Sequence, residues 1–317
     1  MIVTLAGGVG ASRLLRGLCS VVDPASVAAV VNTGDDVVLH GLHVSPDLDT
    51  VTYALAGVVH PDQGWGRDGE TWAVMDALEG LRRAAPASSA AGQTWFRLGD
   101  RDLATHLYRT QRLREGAPLS EVTAELARAW GLATRLLPMT DDPVETRVVV
   151  EGEGELGFQE YFVRRRHAVT ASAVRFAGAE TARPAPGVLD ALAGARRVVI
   201  APSNPLVSIA PVLAVPGVPE AVAARREDTV AVSPIVAGAA LRGPAARLLA
   251  ELGHEPSVVG VARLWAPWAA TLVVDAADAA LAPAVEEEGM RCVVAPTVMR
   301  GPAEAAGLAR VVASPLP

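Results

Sequence analysis

Four aspartates fall within fifteen positions: Asp35 and Asp36 in Asn32-Thr33-Gly34-Asp35-Asp36, and Asp47 and Asp49 in Ser45-Pro46-Asp47-Leu48-Asp49-Thr50. Carboxylate oxygens beside turn residues are the hard donors magnesium takes up when it binds through one or two carboxylates and the phosphates of a substrate. Any one of them could be an ordinary helix cap or turn former, Asp47 and Asp49 especially. The grouping of four is what points to a cation. A second group, Gly7, Gly8 and Gly10, follows an apolar run. Glycines there let the chain turn tightly and offer amide hydrogens at a helix N-terminus, where phosphate binds without a cationic side chain. The stretch Gly8-Val9-Gly10-Ala11-Ser12-Arg13 matches a dinucleotide fingerprint only in part, and a plain strand-to-helix turn accounts for it equally well.

A third group is Arg97-Leu98-Gly99-Asp100-Arg101-Asp102, followed by Thr105 and His106. Asp102 and His106 are four apart, so on a helix they share a face and can pair. Arg97 and Arg101 could hold a planar or phosphorylated ligand bidentately, whereas a capped helix start with an exposed ion pair is the plainer alternative. Ser203, Asn204, Ser208 and Ser233 set hydroxyl and amide groups just past apolar runs. Such groups read a nucleotide or sugar by hydrogen bonds, and they also cap helices. The acidic turn at Leu137-Pro138-Met139-Thr140-Asp141-Asp142 reads as a connecting loop.

Composition narrows the chemistry. None of the 28 basic residues among the 317 is a lysine. Schiff-base chemistry, a pyridoxal anchor, a lysine general base and a Walker-type phosphate loop are therefore excluded. A cation offered to an anionic ligand must be a guanidinium, backbone amides, a protonated histidine or a bound metal. The net charge of −7 and the lack of a long arginine run argue against nucleic acid as a partner; Arg164-Arg165-Arg166 reads as a solvated edge. No apolar run approaches the roughly 20 residues that span a bilayer, and the N-terminus has no cationic leader, so a cytoplasmic protein is expected. Cys19 and Cys292 have no companion ligands at metal-site spacing and read as small buried hydrophobes.

The elements that must position these groups alternate. Apolar runs at 2–5, 27–31, 197–201, 229–232, 271–274 and 292–295 predict strands. Helical patterns follow at 11–18, 48–58, 206–213, 244–252, 278–288 and 303–312. Between them, 70–83, 102–113 and 119–130 predict helices, 84–92 a surface loop, and 147–150 with 158–163 a hairpin across Glu151-Gly152-Glu153-Gly154. The expected fold is α/β, a doubly wound, mostly parallel Rossmann-like sheet. Residues 1–54 and 176–317 make a nucleotide-binding core, and 55–175 an inserted helical and hairpin subdomain. In such a sheet ligands bind beyond the carboxyl ends of the strands, where the polar groups above all lie.

The motifs Leu5 to Gly10, Asn32 to Asp36, Ser45 to Thr50, Leu98 to His106, Leu137 to Asp142, Ala201 to Pro205 and Val230 to Ile235 occur in the order found in the CofD/FbiA family. The resemblance covers nearly the whole chain. It implies a transferase that makes the deazaflavin coenzyme F-420, moving a 2-phospholactyl or phosphoenolpyruvyl group from a guanosine-diphosphate-linked donor to the precursor FO. The segment Gly64-Trp65-Gly66 through Glu70-Thr71-Trp72 resembles the actinobacterial branch, for which enolpyruvyl transfer giving dehydro-coenzyme F-420-0 and GMP is expected. The resemblance implies Mg2+ held by Asp35 and Asp49, with Asp47 and Asp36 behind them. It also implies catalytic roles for Asp49, Asp35 and Asp100, and FO contacts from Asp49, Arg97, Arg101 and Asp102. Gly7, Gly8, Gly10, Arg13, Ser203, Asn204 and Ser233 would take the guanine nucleotide, and a homodimer is compatible with the family. One rival is a non-catalytic nucleotide-sugar sensor of the gluconeogenesis-factor type, from which the chain departs by Val37-Val38 after Asp36 and by its Leu98 to Asp102 motif. Another is a nicotinamide dehydrogenase, which rests on Gly8 and Gly10 alone.

Overall fold

The protein, seen in a computed structural model, is described here at residues 1–86, 88–91, 93–240 and 243–314. In chain order the strands are β1 (Ile2–Ala6), β2 (Val27–Val31), β3 (Val37–Leu39), β4 (Leu42–Val44), β5 (Arg135–Pro138), β6 (Glu145–Val150) and β7 (Gly154–Gly157). They continue with β8 (Ala171–Ala177), β9 (Arg197–Ile200), β10 (Thr229–Val232), β11 (Ile235–Val236), β12 (Ala239–Ala240), β13 (Thr271–Val274) and β14 (Arg291–Val294). Seven of them form one sheet in the order β14-β13-β10-β9-β1-β2-β5, and every pairing in it is parallel. The doubly wound α/β sheet expected from sequence is thus present.

Its strands are short and rich in Val, and all but the edge strand β14 are mostly buried. Val3, Leu5, Ala28, Val30, Val198 and Ile200 point into one core. Their neighbours Ile2, Ala6, Val27, Ala29, Val31 and Val199 point into the other. That is the two-residue alternation of a strand covered by helices on each side. From β1 the chain builds outward through β2 to β5 and, in the opposite direction, through β9 to β14. The order therefore reverses beside β1, which fixes where a ligand crevice opens.

Among the helices, α1 (Gly8–Val21) leads from β1, and α2 (Pro46–Leu55) follows the β3–β4 hairpin. Helices α3 (Ala73–Arg82), α4 (Asp102–Arg114) and α5 (Leu119–Ala129) occupy the expected insertion. Of the loop expected at 84–92, residues 87 and 92 lie outside the described residues. Within the range 55–175, β5 extends the central sheet by pairing with β2. No helix of the described residues is long and apolar enough to cross a membrane.

One expectation is corrected. Residues 158–163 are not the second strand of the hairpin; β6 pairs instead with β7 and, on its other side, with β8. Phe158 and Phe162 stack with ring centroids 5.6 Å apart, a contact four residues apart that a helical turn makes and a strand cannot. Tyr161 is buried with Val148 and Val150 in a small separate core. A helix at Val258–Trp265 was also not anticipated.

Helix α1 lies against the C-terminal helix Pro302–Ala313 so closely that a Cβ on Gly17 would fall 2.3 Å from the Ala305 carbonyl oxygen. Gly17→Ala should therefore lower the unfolding free energy by about 1–3 kcal/mol in urea titration, because backbone has to shift. Gly80→Ala, on α3 with nothing within 4 Å, should instead raise it by about 0.5–1 kcal/mol.

Candidate functional site: carboxylates at the strand ends

The loops after β1, β2 and β9 meet at the reversal point, and Asp47 from the first turn of α2 ties them together. Its Oδ1 accepts from the Gly8 amide at 2.8 Å and its Oδ2 from Asn32 Nδ2 at 3.0 Å. Asn32 Oδ1 in turn accepts from the Gly34 amide at 2.8 Å, shaping the turn that presents Asp35 and Asp36. From the next strand, Ser203 Oγ donates to the Gly7 carbonyl at 2.7 Å. The glycines are there for close approach. A Cβ on Gly7 would stand 2.8 Å from Asp47 Oδ2, one on Gly10 would stand 2.2 Å from the Pro202 carbonyl oxygen, and Gly8 has φ +69°. The glycine motif is a tight turn, and its Gly8 amide is taken by the Asp47 carboxylate.

Asp35 and Asp47 are buried, and the Asp36 side chain beside them is 10% exposed. Burial, then the Asp47 charge, pushes the Asp35 carboxyl well above its ordinary value. Burial pushes Asp47 up to about 6 despite its bonds from Asn32 and Gly8. Asp36 is also raised by burial, although His43 Nε2 at 2.9 Å and Ser45 Oγ at 2.6 Å hold its Oδ2. Asp35 Oδ1 and Asp36 Oδ1 are buried with no hydrogen-bond partner among the described residues. Mutually repelling carboxylates with unused oxygens are short of positive charge.

Asp49 is placed differently. Both its oxygens accept from Arg109, Nη1 at 3.1 Å and Nη2 closer still, and Arg109 is 2% exposed. Beside this pair His106 Nδ1 lies 3.7 Å from Asp49, and His106 Nε2 lies 3.4 Å from Asp102, so the expected Asp102–His106 pairing is present. The Tyr53 hydroxyl donates to Asp102 and contacts Thr105 Oγ1 at 2.7 Å. Burial works to raise the Asp102 pKa, but His106, Tyr53 and Arg109 outweigh it and hold the carboxylate below its usual range. Asp49, Asp102 and His106 bring one donor atom each within 4.8 Å of one another, with the Arg109 guanidinium already supplying the local cation.

The other expected residues are also placed. Asp100 is exposed and accepts from Thr71 Oγ1 and from the amides of Ala73 and Val74, so it caps α3. Arg97 pairs with Asp76 at 2.6 Å and lies over the Trp72 ring at 5.2 Å. Arg101 Nη1 donates to the Asp68 carbonyl. Arg97, Trp72, Trp65, Arg67, Glu70 and Asp102 line a cleft whose rim includes the half-exposed Trp65. Arg13 Nη1 donates to the Met299 carbonyl at 2.9 Å. Asn204 Oδ1 caps the turn at Leu206, and Ser233 Oγ closes a turn on Ile235. Asp141 accepts from the amide and hydroxyl of Ser120 at the start of α5.

Arg109, His43 and Tyr53 were missed from sequence. The signal was available: Asp102, His106 and Arg109 fall at i, i+4 and i+7 on α4, and Asp49 and Tyr53 at i and i+4 on α2, two polar stripes that face each other.

The fold is a doubly wound α/β sheet with a carboxylate-lined crevice where the strand order reverses. A family model described as 2-phospho-L-lactate transferase CofD matches residues 2–298, and the chain belongs to that family. A phosphoenolpyruvate transferase of Streptomyces griseus is 47% identical over 98% of this chain and 96% of its own. Another, from Kitasatospora aureofaciens, is 46% identical over 98% and 95%, and one from Mycolicibacterium smegmatis 39% identical over 98% and 96%. A solved structure from Bacillus halodurans is similar in fold, with a TM-score of 0.63 at 17% identity over 99% of each chain.

Arg109→Leu would leave Asp49 as a buried unpaired charge and should cost about 3–5 kcal/mol in denaturant unfolding. Combining it with Asp49→Asn should recover much of that loss.

Proposed function

We propose that this chain transfers the phosphoenolpyruvyl group of enolpyruvyl-diphospho-guanosine to FO, 7,8-didemethyl-8-hydroxy-5-deazariboflavin, giving dehydro-coenzyme F-420-0 and GMP. Family membership carries the coarser part, a transferase of coenzyme F-420 biosynthesis. The naming of relatives 39–47% identical as phosphoenolpyruvate transferases favours the enolpyruvyl donor over its lactyl counterpart. The observation that carries the chemistry is the trio Asp35, Asp36 and Asp47, crowded at the strand ends with raised pKa values and with Asp35 Oδ1 and Asp36 Oδ1 unused.

Magnesium fits that trio, because two adjacent buried carboxylates lacking a cation match its preference for a few hard oxygens plus substrate phosphates. Asp35 and Asp47 would hold it, with Asp36 behind them. Bound there, the ion supplies Lewis-acid stabilisation of charge on the diphosphate. The glycine turn, Ser203, Asn204 and Ser233 border the donor nucleotide, with Arg13 flanking α1. Asp49 belongs to the acceptor side, since its oxygens already face Arg109. The cleft with Trp65, Trp72, Arg97 and Asp102 takes the planar deazaflavin, whose ring suits aromatic and guanidinium faces. Asp100 shapes that cleft by capping α3. The terminal ribityl hydroxyl of FO attacks the phosphorus bearing the three-carbon acid, and GMP leaves in line.

Mass spectrometry of products formed from FO and each donor tests this. The enolpyruvyl product should dominate, two hydrogens lighter than the lactyl one, and absence of transfer from either donor would sink the reading. Asp35→Asn and Asp47→Asn should each lower kcat by roughly 10²-fold or more, the scale of losing one transition-state charge contact, with FO still bound.

A further inference from the structure

Strand β6 presents Thr146, Val148 and Val150 on its buried face. Val148 and Val150 do what such a face requires and pack with Tyr161, Ala171, Val207 and Leu248. Thr146 is 0% exposed, and its Oγ1 makes no hydrogen bond of good geometry among the described residues; the Asp35 carboxyl is the group close enough to draw on it. A valine would fill the same volume without the roughly 1–3 kcal/mol cost of a buried unsatisfied hydroxyl. The hydroxyl is therefore the anomaly.

Its position explains the anomaly. The Thr146 amide donates to the Gly34 carbonyl at 2.7 Å, and Gln159 Nε2 donates to the Asp35 carbonyl at 3.3 Å, so the β6–β8 sheet is fastened to the loop after β2. A Cβ on Gly34 would stand 2.7 Å from Thr146 Oγ1 and 3.1 Å from Asn32 Oδ1. Thr146 lies near enough to the Asp35 carboxyl to oppose the rise in its pKa. Two buried oxygens that lack a well-formed hydrogen bond, a carboxylate on the turn after β2 and a hydroxyl on β6, thus come to one place. A threonine hydroxyl beside an aspartate is a donor pair that magnesium takes in phosphoryl-transfer sites.

We propose that Thr146 Oγ1 and Asp35 Oδ1 are donors to the same divalent cation, so that the inserted sheet completes a site begun by the Rossmann-like core. This rests on the cation reading of the trio given above. Thr146 is then a ligand retained at the expense of apo stability, and the site forms only when β6 is docked on Gly34.

The test is direct binding of Mn2+ to the substrate-free protein, followed by electron paramagnetic resonance, for wild type, Thr146→Val and Thr146→Ser. Thr146→Val should weaken Mn2+ binding about tenfold or more while its metal-free melting temperature is equal or higher. Thr146→Ser should restore binding. A merely structural threonine would give the reverse pattern, a lower metal-free melting temperature with unchanged binding. Equal Mn2+ affinity in wild type and Thr146→Val would overturn this inference alone, since the Asp35 and Asp47 reading would stand. No Mn2+ binding by wild type would overturn both.

Discussion

The Asp47 carboxylate is the point on which the site depends. It holds the N-terminus of α1 through Gly8 and the end of β2 through Asn32, and so fixes the spacing between the two loops that flank the crevice. The helix N-terminus and the Asn32 amide stabilise its charge. They do not suffice, since the pKa still rises to about 6. Burial keeps this carboxylate hard to ionise despite its two good donors, and the Asp36 charge adds to the effect. The chain thus assembles an electrostatic deficit at the strand ends and leaves it unmatched.

A few ångströms of sequence away, the same chemistry is resolved in the opposite way. Asp49 sits two residues beyond Asp47 on α2, yet Arg109 from α4 meets both its oxygens, and Asp102 is further stabilised by Tyr53 and His106. One side of α2 therefore carries carboxylates that lack a counter-charge and the other carries carboxylates that have one. The first environment suits a ligand that brings positive charge with its phosphates; the second suits a neutral, hydrogen-bonding acceptor. Two sequence neighbours thus have different partners, Asp47 the Gly8 amide and Asn32, Asp49 the Arg109 guanidinium.

Much of this was legible in the sequence. Strands β2, β10 and β13 carry their predicted bounds, because runs such as Val27 to Val31 are buried on both faces and show no competing pattern. The grouping of Asp35, Asp36 and Asp47 was legible because all three follow a strand or open a helix. What escaped was long-range. Nothing local marks Arg109 as the partner of a residue sixty positions earlier, and Asp100 reads as a site residue until its α3 capping bonds are seen. The strand expected at 158–163 failed because Phe158, Tyr161 and Phe162 fall at i, i+3 and i+4, a helical spacing at which Phe158 and Phe162 stack.

The contact between Gly34 and β6 has a consequence for how this sequence can vary. The space where a Gly34 side chain would begin is already filled by Thr146 Oγ1 and Asn32 Oδ1. A lineage that replaces Gly34 must therefore also shrink residue 146 or move the strand that carries it. Position 34 in the turn after β2 and position 146 on β6, more than a hundred residues apart, are thus coupled sterically.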